Sequence, residues 1–289
     1  MINYSIIIPH KDNIELLKRC VASIPLRSDI QIIIVDDSSD SKNIPSTEQF
    51  NDSRVEIYLD YSNKGAGHAR NIGLQRSIGK WILFADCDDT FIPFELEKKL
   101  DMYLNSNLDL ILFNVQAVDF ESGTYIKCVY NSMIEKDCDD HINLCKFSIP
   151  VPWCKLIKKS LISDNNIQFD ETPVANDAFF SLVCAYYSSK AIVDKDKIYN
   201  WYCLRKGSIT SKKSKEAALV HFKCSIKRNY FMYEKGLMKY RCNLFEAIPN
   251  LVRCGYSYSG AIGLALLNTK VTYLFPDLLN AIMHYIRIK

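Results

Sequence analysis

The chain has 289 residues, 48% of them apolar, with 36 Lys and Arg against 33 Asp and Glu, enough to bury a large core and near charge balance overall. From Arg205 to Lys289 there are 15 cations and 4 anions, a balance of +11, while the remainder carries 21 against 29. The basic residues are scattered and no nucleic-acid motif accompanies them, so nucleic acid is a weak alternative and is not expected as a partner. The 11 cysteines include no Cys-x-x-Cys pair, which excludes a zinc site and a disulfide framework and fits reduced core thiols in a cytoplasmic protein. Met1-Ile2-Asn3-Tyr4 shows no basic leader, and the longest apolar run of the tail, Ala261 to Leu267, is far too short to span a membrane.

In chain order, Ser5 to Ile8 reads as a buried strand stopped by Pro9, followed by a helix with Ile14, Leu17, Val21 and Ile24 on one face and Asp12 or Asn13 as its cap. Ile30 to Val35 is a second buried strand ending in Asp36-Asp37-Ser38-Ser39, and Arg54 to Leu59 a third. Lys64 to Ile78 reads as a helix entered through Gly65-Ala66-Gly67, and Trp81 to Ala85 as a fourth strand running into Asp86-Cys87-Asp88-Asp89. Alternation of helices with all-apolar strands predicts an α/β fold with a mostly parallel central sheet flanked by helices. Beyond it come a helix from Pro93 to Asn105, a strand from Leu108 to Val115, a hairpin arm from Tyr125 to Tyr130, helices over Trp153–Ile162 and Asp177–Ser188, and a strand over Lys197–Leu204. After Ser214 the pattern is helical, with breaks near Gly236, Pro249, Gly255 and Pro276. The change of charge and of element type predicts a domain over 1–207 and a helical, basic extension over 208–289.

Strand ends that deliver Pro9, Asp36-Asp37 and the Asp86–Asp89 cluster to one sheet edge make a nucleotide site the default expectation. Crowded carboxylates raise one another's pKa unless a cation shares them, and hard oxygen ligands suit Mg²⁺ or Mn²⁺ beside a diphosphate. The competing interpretation is a solvated acidic turn before the next helix. Gly65-Ala66-Gly67 does not follow the first strand and no third glycine closes a dinucleotide fingerprint; no P-loop is present either. Dehydrogenase and P-loop functions are thereby disfavoured.

Ser5-Ile6-Ile7-Ile8-Pro9, Ile34-Val35-Asp36-Asp37-Ser38-Ser39, Asn63-Lys64-Gly65-Ala66-Gly67-His68-Ala69-Arg70-Asn71-Ile72-Gly73 and Gly79-Lys80-Trp81-Ile82-Leu83-Phe84-Ala85-Asp86-Cys87-Asp88-Asp89 resemble, in order, the signatures of family 2 glycosyltransferases. Trp153 to Leu156, Asn176 to Phe180 and Tyr202 to Ile209 resemble later landmarks of bacterial polysaccharide-assembling members, so the resemblance covers roughly the first 210 residues. It implies a GT-A fold and an inverting, metal-dependent transfer from a nucleotide-sugar, a UDP-sugar first, to a saccharide or lipid-linked saccharide. It also implies roles position by position: Asp37 at the donor base; Pro9, His10 and Gly67 lining the nucleotide; Arg70 at the phosphates or bracing the acidic loop; Asp86, Asp88 and Asp89 holding Mn²⁺ or Mg²⁺ and the donor; Arg205, with Ser208, over the diphosphate; Asp177 as general base; and Trp153 against the acceptor. From the residues alone, Asp177 reads first as a helix N-cap and Trp153 first as a core residue, while Arg205 reads equally as part of a basic turn.

Departures from the pattern are Lys11 where an aromatic often stacks on the base, with His10 as substitute, and Asn176 before Asp177 where a carboxylate is usual. Loss of that neighbouring charge is expected to lower the pKa of Asp177. Alternatives of other kinds are a GT-A-like nucleotidyltransferase and a non-catalytic nucleotide-sugar-binding subunit. In the tail, Leu274 to Met283 followed by Arg287 and Lys289 suits either an interfacial amphipathic helix at the inner face of a membrane or a packing helix within the chain or a homo-oligomer.

Overall fold

The computed structural model describes residues 1–205 and 214–288, with the side chains of 271, 272, 275 and 283–289 left out. Ser208 and the predicted boundary at Gly207 therefore lie outside the described residues. The chain divides into two compact units, Met1–Lys206 and Gly207–Lys289.

The first unit begins with the predicted alternation. β1 (Tyr4–His10), α1 (Ile14–Ala22), β2 (Ile30–Asp37), β3 (Val55–Asp60), α2 (Ala66–Arg76) and β4 (Trp81–Phe84) form a parallel half-sheet in the order β3-β2-β1-β4. Every residue of β1, β2 and β4 is buried, which is why these strands read as unbroken apolar runs. Helix α2 lies close on the sheet because its inner face is small: a Cβ on Gly73 would stand 2.4 Å from a side-chain carbon of Ile7.

The sheet continues with β5 (Thr90–Phe91), then α3 (Pro93–Tyr103), β6 (Leu110–Asp119) and β7 (Tyr125–Ile126), α4 (Val129–Ile134) and α5 (His141–Ser148), β8 (Lys155–Lys158), α6 (Lys159–Asp164), α7 (Ala178–Tyr187) and β9 (Ala191–Cys203). Its full order is β3-β2-β1-β4-β8-β6-β9-β5, with β7 added to β6. Beyond β4 the parallel pattern gives way to a mixed one: β8 is antiparallel to both β4 and β6, whereas β9 is parallel to β6.

Two expectations fail in this half. Trp153–Ile162, predicted as one helix, is instead β8 followed by α6. Leu156 and Ile157 are fully buried between β4 and β6, and so short an apolar run has no period that separates strand from helix; pairing with both neighbours decides it. The predicted arm Tyr125–Tyr130 pairs only through Tyr125 and Ile126 before the chain turns into α4.

The second unit contains α8 (Lys215–Glu234), α9 (Ile248–Arg253), α10 (Tyr258–Asn268) and α11 (Val271–Ile288) around a small core of Ala218, Phe222, Leu244, Phe245, Leu251, Ala261 and Ala265. Pro249 opens α9, as a proline at a first helical turn should, but Pro276 lies inside α11 rather than breaking it. Pro276 is the sixth residue of that helix, past its first turn, and the break expected there is not found. No helix among the described residues is long and apolar enough to cross a membrane.

Candidate active site at the sheet edge

The C-terminal ends of β1, β2 and β4 bring His10, Asp36, Asp37 and the Asp86–Asp89 loop to one edge, with His10 in register beside Asp36. The two neighbouring aspartates do different work. Asp36 is occupied internally: it accepts hydrogen bonds from His10 Nδ1 at 2.8 Å and from the Ser39 amide at 3.0 Å. Burial pushes the Asp36 carboxyl up, but these bonds outweigh it and hold the group below its ordinary range. Asp37 is 4% exposed; its Oδ2 accepts the Gly65 amide at 2.9 Å, and its buried Oδ1 has no partner. An unpartnered buried acceptor at a strand end is what a ligand's donor group would satisfy.

His10 does not offer a free ring. It is 2% exposed, and the Asn13 amide donates to its Nε2 at 3.2 Å, so Nδ1 carries the proton given to Asp36. Its place is beneath the edge, bracing Asp36. Gly67 likewise packs inward: a Cβ there would lie 2.1 Å from the Asp170 carbonyl oxygen and 3.0 Å from Asn176 Cβ. Gly67→Ala should therefore push the 170–177 segment outward and cost about 1–3 kcal/mol of stability, measured by urea denaturation. An unchanged midpoint would contradict this contact.

The acidic loop is held from several sides. Arg70 is buried; its Nη2 donates to Asp86 Oδ1 and its Nη1 to Asn176 Oδ1 at 2.8 Å. One guanidinium thus ties the acidic loop to the residue preceding Asp177. The Tyr199 hydroxyl accepts the Asp86 amide at 2.9 Å, and Asp89 Oδ1 accepts the Tyr202 amide at 2.7 Å. Arg205 donates to Asp88 Oδ2 at 3.0 Å, and Arg19 donates to the Asp88 carbonyl oxygen while its guanidinium stacks 4.1 Å over the Tyr202 ring. Arg19, Tyr199 and Tyr202 were not foreseen, because only the tertiary approach of α1 and β9 brings them here.

Burial pushes Asp89 well above the usual carboxylate range, and the charges of Asp86 and Asp88 add to that. Burial and Asp86 also raise Asp88, against the opposing pull of Arg205. Asp89 Oδ2 is buried without a hydrogen-bond partner. Among the described residues no set of three or more His, Cys, Asp or Glu side chains converges on a cation position. One or two carboxylates completed by substrate phosphates are, however, the usual way Mg²⁺ is held, and a crowded, protonation-prone cluster with an orphan oxygen fits such an ion.

Asp177 stands at the N-cap position of α7, yet its side chain makes no capping hydrogen bond. Its carboxyl is pushed up by burial and by Asp86, with Arg70 pulling the other way, so the low value expected from the loss of a neighbouring carboxylate is not found. The segments flanking the edge carry strained backbone: Ala175 has φ +55° and Leu204 φ +63°, conformations that non-glycine residues hold only when their surroundings impose them.

Of the two readings of Trp153, the structure favours the core one over an acceptor face: it is 3% exposed and lies stacked against Tyr199 at 5.3 Å and Trp201 at 5.7 Å, with Tyr130 at its edge. Its rings are used by the core, leaving no face for a sugar. Trp153→Ala should cost about 3–5 kcal/mol in urea denaturation. A variant of unchanged stability with a raised acceptor KM would restore the acceptor role.

The sequence model described as Glycosyl transferase family 2 matches residues 5–165. Among curated proteins, the chain is 29% identical over 200 residues to the Escherichia coli UDP-Glc:alpha-D-GlcNAc-diphosphoundecaprenol beta-1,3-glucosyltransferase WfgD, covering 64% of this chain and 69% of that protein. It is 25% identical over 217 residues to the Staphylococcus aureus poly(ribitol-phosphate) beta-N-acetylglucosaminyltransferase TarS, covering 72% of this chain but only 36% of TarS. The crystal structure of TarS 1–349 with UDP-GlcNAc superposes with a TM-score of 0.69 at 18% identity, over 97% of this chain and 79% of that one. The Pyrobaculum calidifontis mannosyltransferase PcManGT with GDP-Man and Mn²⁺ does so with a TM-score of 0.60 at 12% identity, over 97% and 80%. These likenesses establish the GT-A fold.

Proposed function

The chain belongs to glycosyl transferase family 2, and from that premise we propose that it moves one sugar, with inversion, from a nucleotide donor to a saccharide or lipid-linked saccharide. The observation that carries this reading is the pairing of two buried, unpartnered carboxylate oxygens, Asp37 Oδ1 and Asp89 Oδ2, within a single sheet edge. The first suits a donor N–H of a base, the second a cation beside a diphosphate.

In this mechanism Asp37 fixes the base and so the register of the donor along the edge. Asp86, Asp88 and Asp89 would hold Mn²⁺ or Mg²⁺, which supplies charge neutralisation on the departing diphosphate. Arg70 keeps Asp86 and Asn176 in place on either side of the reacting centre, and Arg205 lies on Asp88, within the same acidic loop. Asp177 accepts the proton of the acceptor hydroxyl as its oxygen attacks the anomeric carbon from the face opposite the leaving nucleotide. Its uncapped carboxyl and raised pKa suit a base that must be ionised near neutral pH yet basic enough to take that proton. A UDP-sugar is the preferred donor, supported by the UDP-sugars named for WfgD and for the TarS complex. WfgD's named acceptor, a diphosphoundecaprenol-linked sugar, supports a lipid-linked saccharide in bacterial polysaccharide assembly, with the enzyme at the cytoplasmic face of the membrane.

The test is release of nucleotide from UDP-, GDP-, dTDP- and CMP-sugars by purified chain with Mn²⁺. Turnover of a UDP-sugar that a chelator abolishes is the expected result. Absence of both hydrolysis and nucleotide binding with metal present would overturn the proposal.

A further inference from the structure

The second unit holds a cleft between α8, the turn at Met238 to Arg241 and the junction of α10 with α11. Tyr230, Tyr233 and Tyr273 supply aromatic walls, and Arg241, Thr269 and Lys270 supply polar groups. The two cations differ in state. Arg241 is neutralised by the buried carboxylate of Asp277 and lies 4.3 Å over the Tyr273 ring, so it is a fixed part of the wall. The Lys270 ammonium sits 2.8 Å from the centre of the Tyr233 ring, and no carboxylate pairs with it among the described residues. Beside it, Thr269 Oγ1 is buried without a hydrogen-bond partner.

Helix α11 begins at Val271, directly after these two residues, so the positive end of its dipole lies at the same junction. A cation held by an aromatic ring and by no carboxylate among the described residues, an orphan hydroxyl and a helix N-terminus meet in a cleft walled by tyrosines. The first three suit an anion and the tyrosine faces suit the C–H faces of a sugar ring. We propose that this cleft binds a saccharide phosphate, the sugar against Tyr230 and Tyr233, and the phosphate on Lys270 and Thr269. The ammonium, now resting on Tyr233, would turn to the phosphate and free that ring for the sugar. A neutral sugar leaves Lys270 and Thr269 unanswered, and phosphate alone leaves the tyrosines unused. This site stands on the second unit's own residues and is independent of the donor chemistry at the sheet edge.

Calorimetric titration of the full chain with glucose 1-phosphate tests it, against glucose and inorganic phosphate as separate titrants. Glucose 1-phosphate should bind about 10-fold or more tightly than either fragment. Lys270→Ala and Tyr233→Ala should each weaken it about 10-fold or more, Lys270→Arg should largely restore it, and Asp37→Ala at the sheet edge should leave it unchanged. Thermal melts of each variant check that the second unit remains folded, which exposed positions such as Lys270 favour. The proposal is overturned if wild type does not bind, if folded Lys270→Ala and Tyr233→Ala bind as wild type does, or if only Asp37→Ala loses binding.

Discussion

Asp89→Asn is expected to reduce turnover by about 10²–10³-fold or more while leaving the metal-free protein as stable as wild type or more so. Asp89 is 2% exposed, and burial together with Asp86 and Asp88 raises its pKa well above the usual range. A carboxyl whose folded-state pKa is raised stabilises the fold fully below the unfolded pKa, and that contribution is lost as pH rises through the folded value. Ionising Asp89 is therefore a burden on the fold that protonation or a bound cation relieves. Asparagine cannot ionise, and its carbonyl oxygen can still accept the Tyr202 amide that Asp89 Oδ1 accepts now. The melting temperature without metal should hold or rise, and the increase on adding UDP with Mn²⁺ should disappear. A variant that melts well below wild type would show the carboxylate serves the fold, against this account.

Asp177→Asn should cut kcat by about 10²–10⁴-fold and leave UDP binding intact. The residue stands at the head of α7 without capping it, so its removal costs the helix little. Because burial and Asp86 raise its pKa, wild-type kcat should rise with pH on an acid limb that lies above the ordinary carboxylate range. Below that limb the base is protonated and cannot accept the hydroxyl proton. The residual activity of Asp177→Asn should lack the limb. A kcat within a few-fold of wild type, or an unchanged limb, would remove Asp177 from the base role.

Much of the parallel half was legible because its strands are buried on both faces and so are written as apolar runs ending near Asp36-Asp37 and Asp86, although Pro9, read as a stop, lies within β1, which runs on to His10. The mixed half was less so. β8 contributes four residues to the sheet centre, and the long pairing of β6 with β9 slips register at Asn114. Neither leaves a periodic trace. At the site, charge after an apolar run exposed the carboxylates, yet said nothing of which are free: Asp36 is consumed by His10 and Ser39 while Asp37 keeps an open oxygen. The arginine and tyrosine braces come from distant elements, and Trp153 looked like a ligand-facing aromatic although three aromatic neighbours enclose it. Residue type reports what a side chain can do; packing decides what remains unoccupied.

The central claim is that the Asp86–Asp89 loop and Asp37 together form a metal-dependent nucleotide diphosphate site. Calorimetric titration of UDP into the chain with Mn²⁺, with chelator, and into Asp89→Asn with Mn²⁺ tests it most directly. The account predicts binding to wild type with Mn²⁺ and its loss, by about 10-fold or more, both with chelator and in Asp89→Asn. UDP binding of equal strength in all three titrations would contradict it.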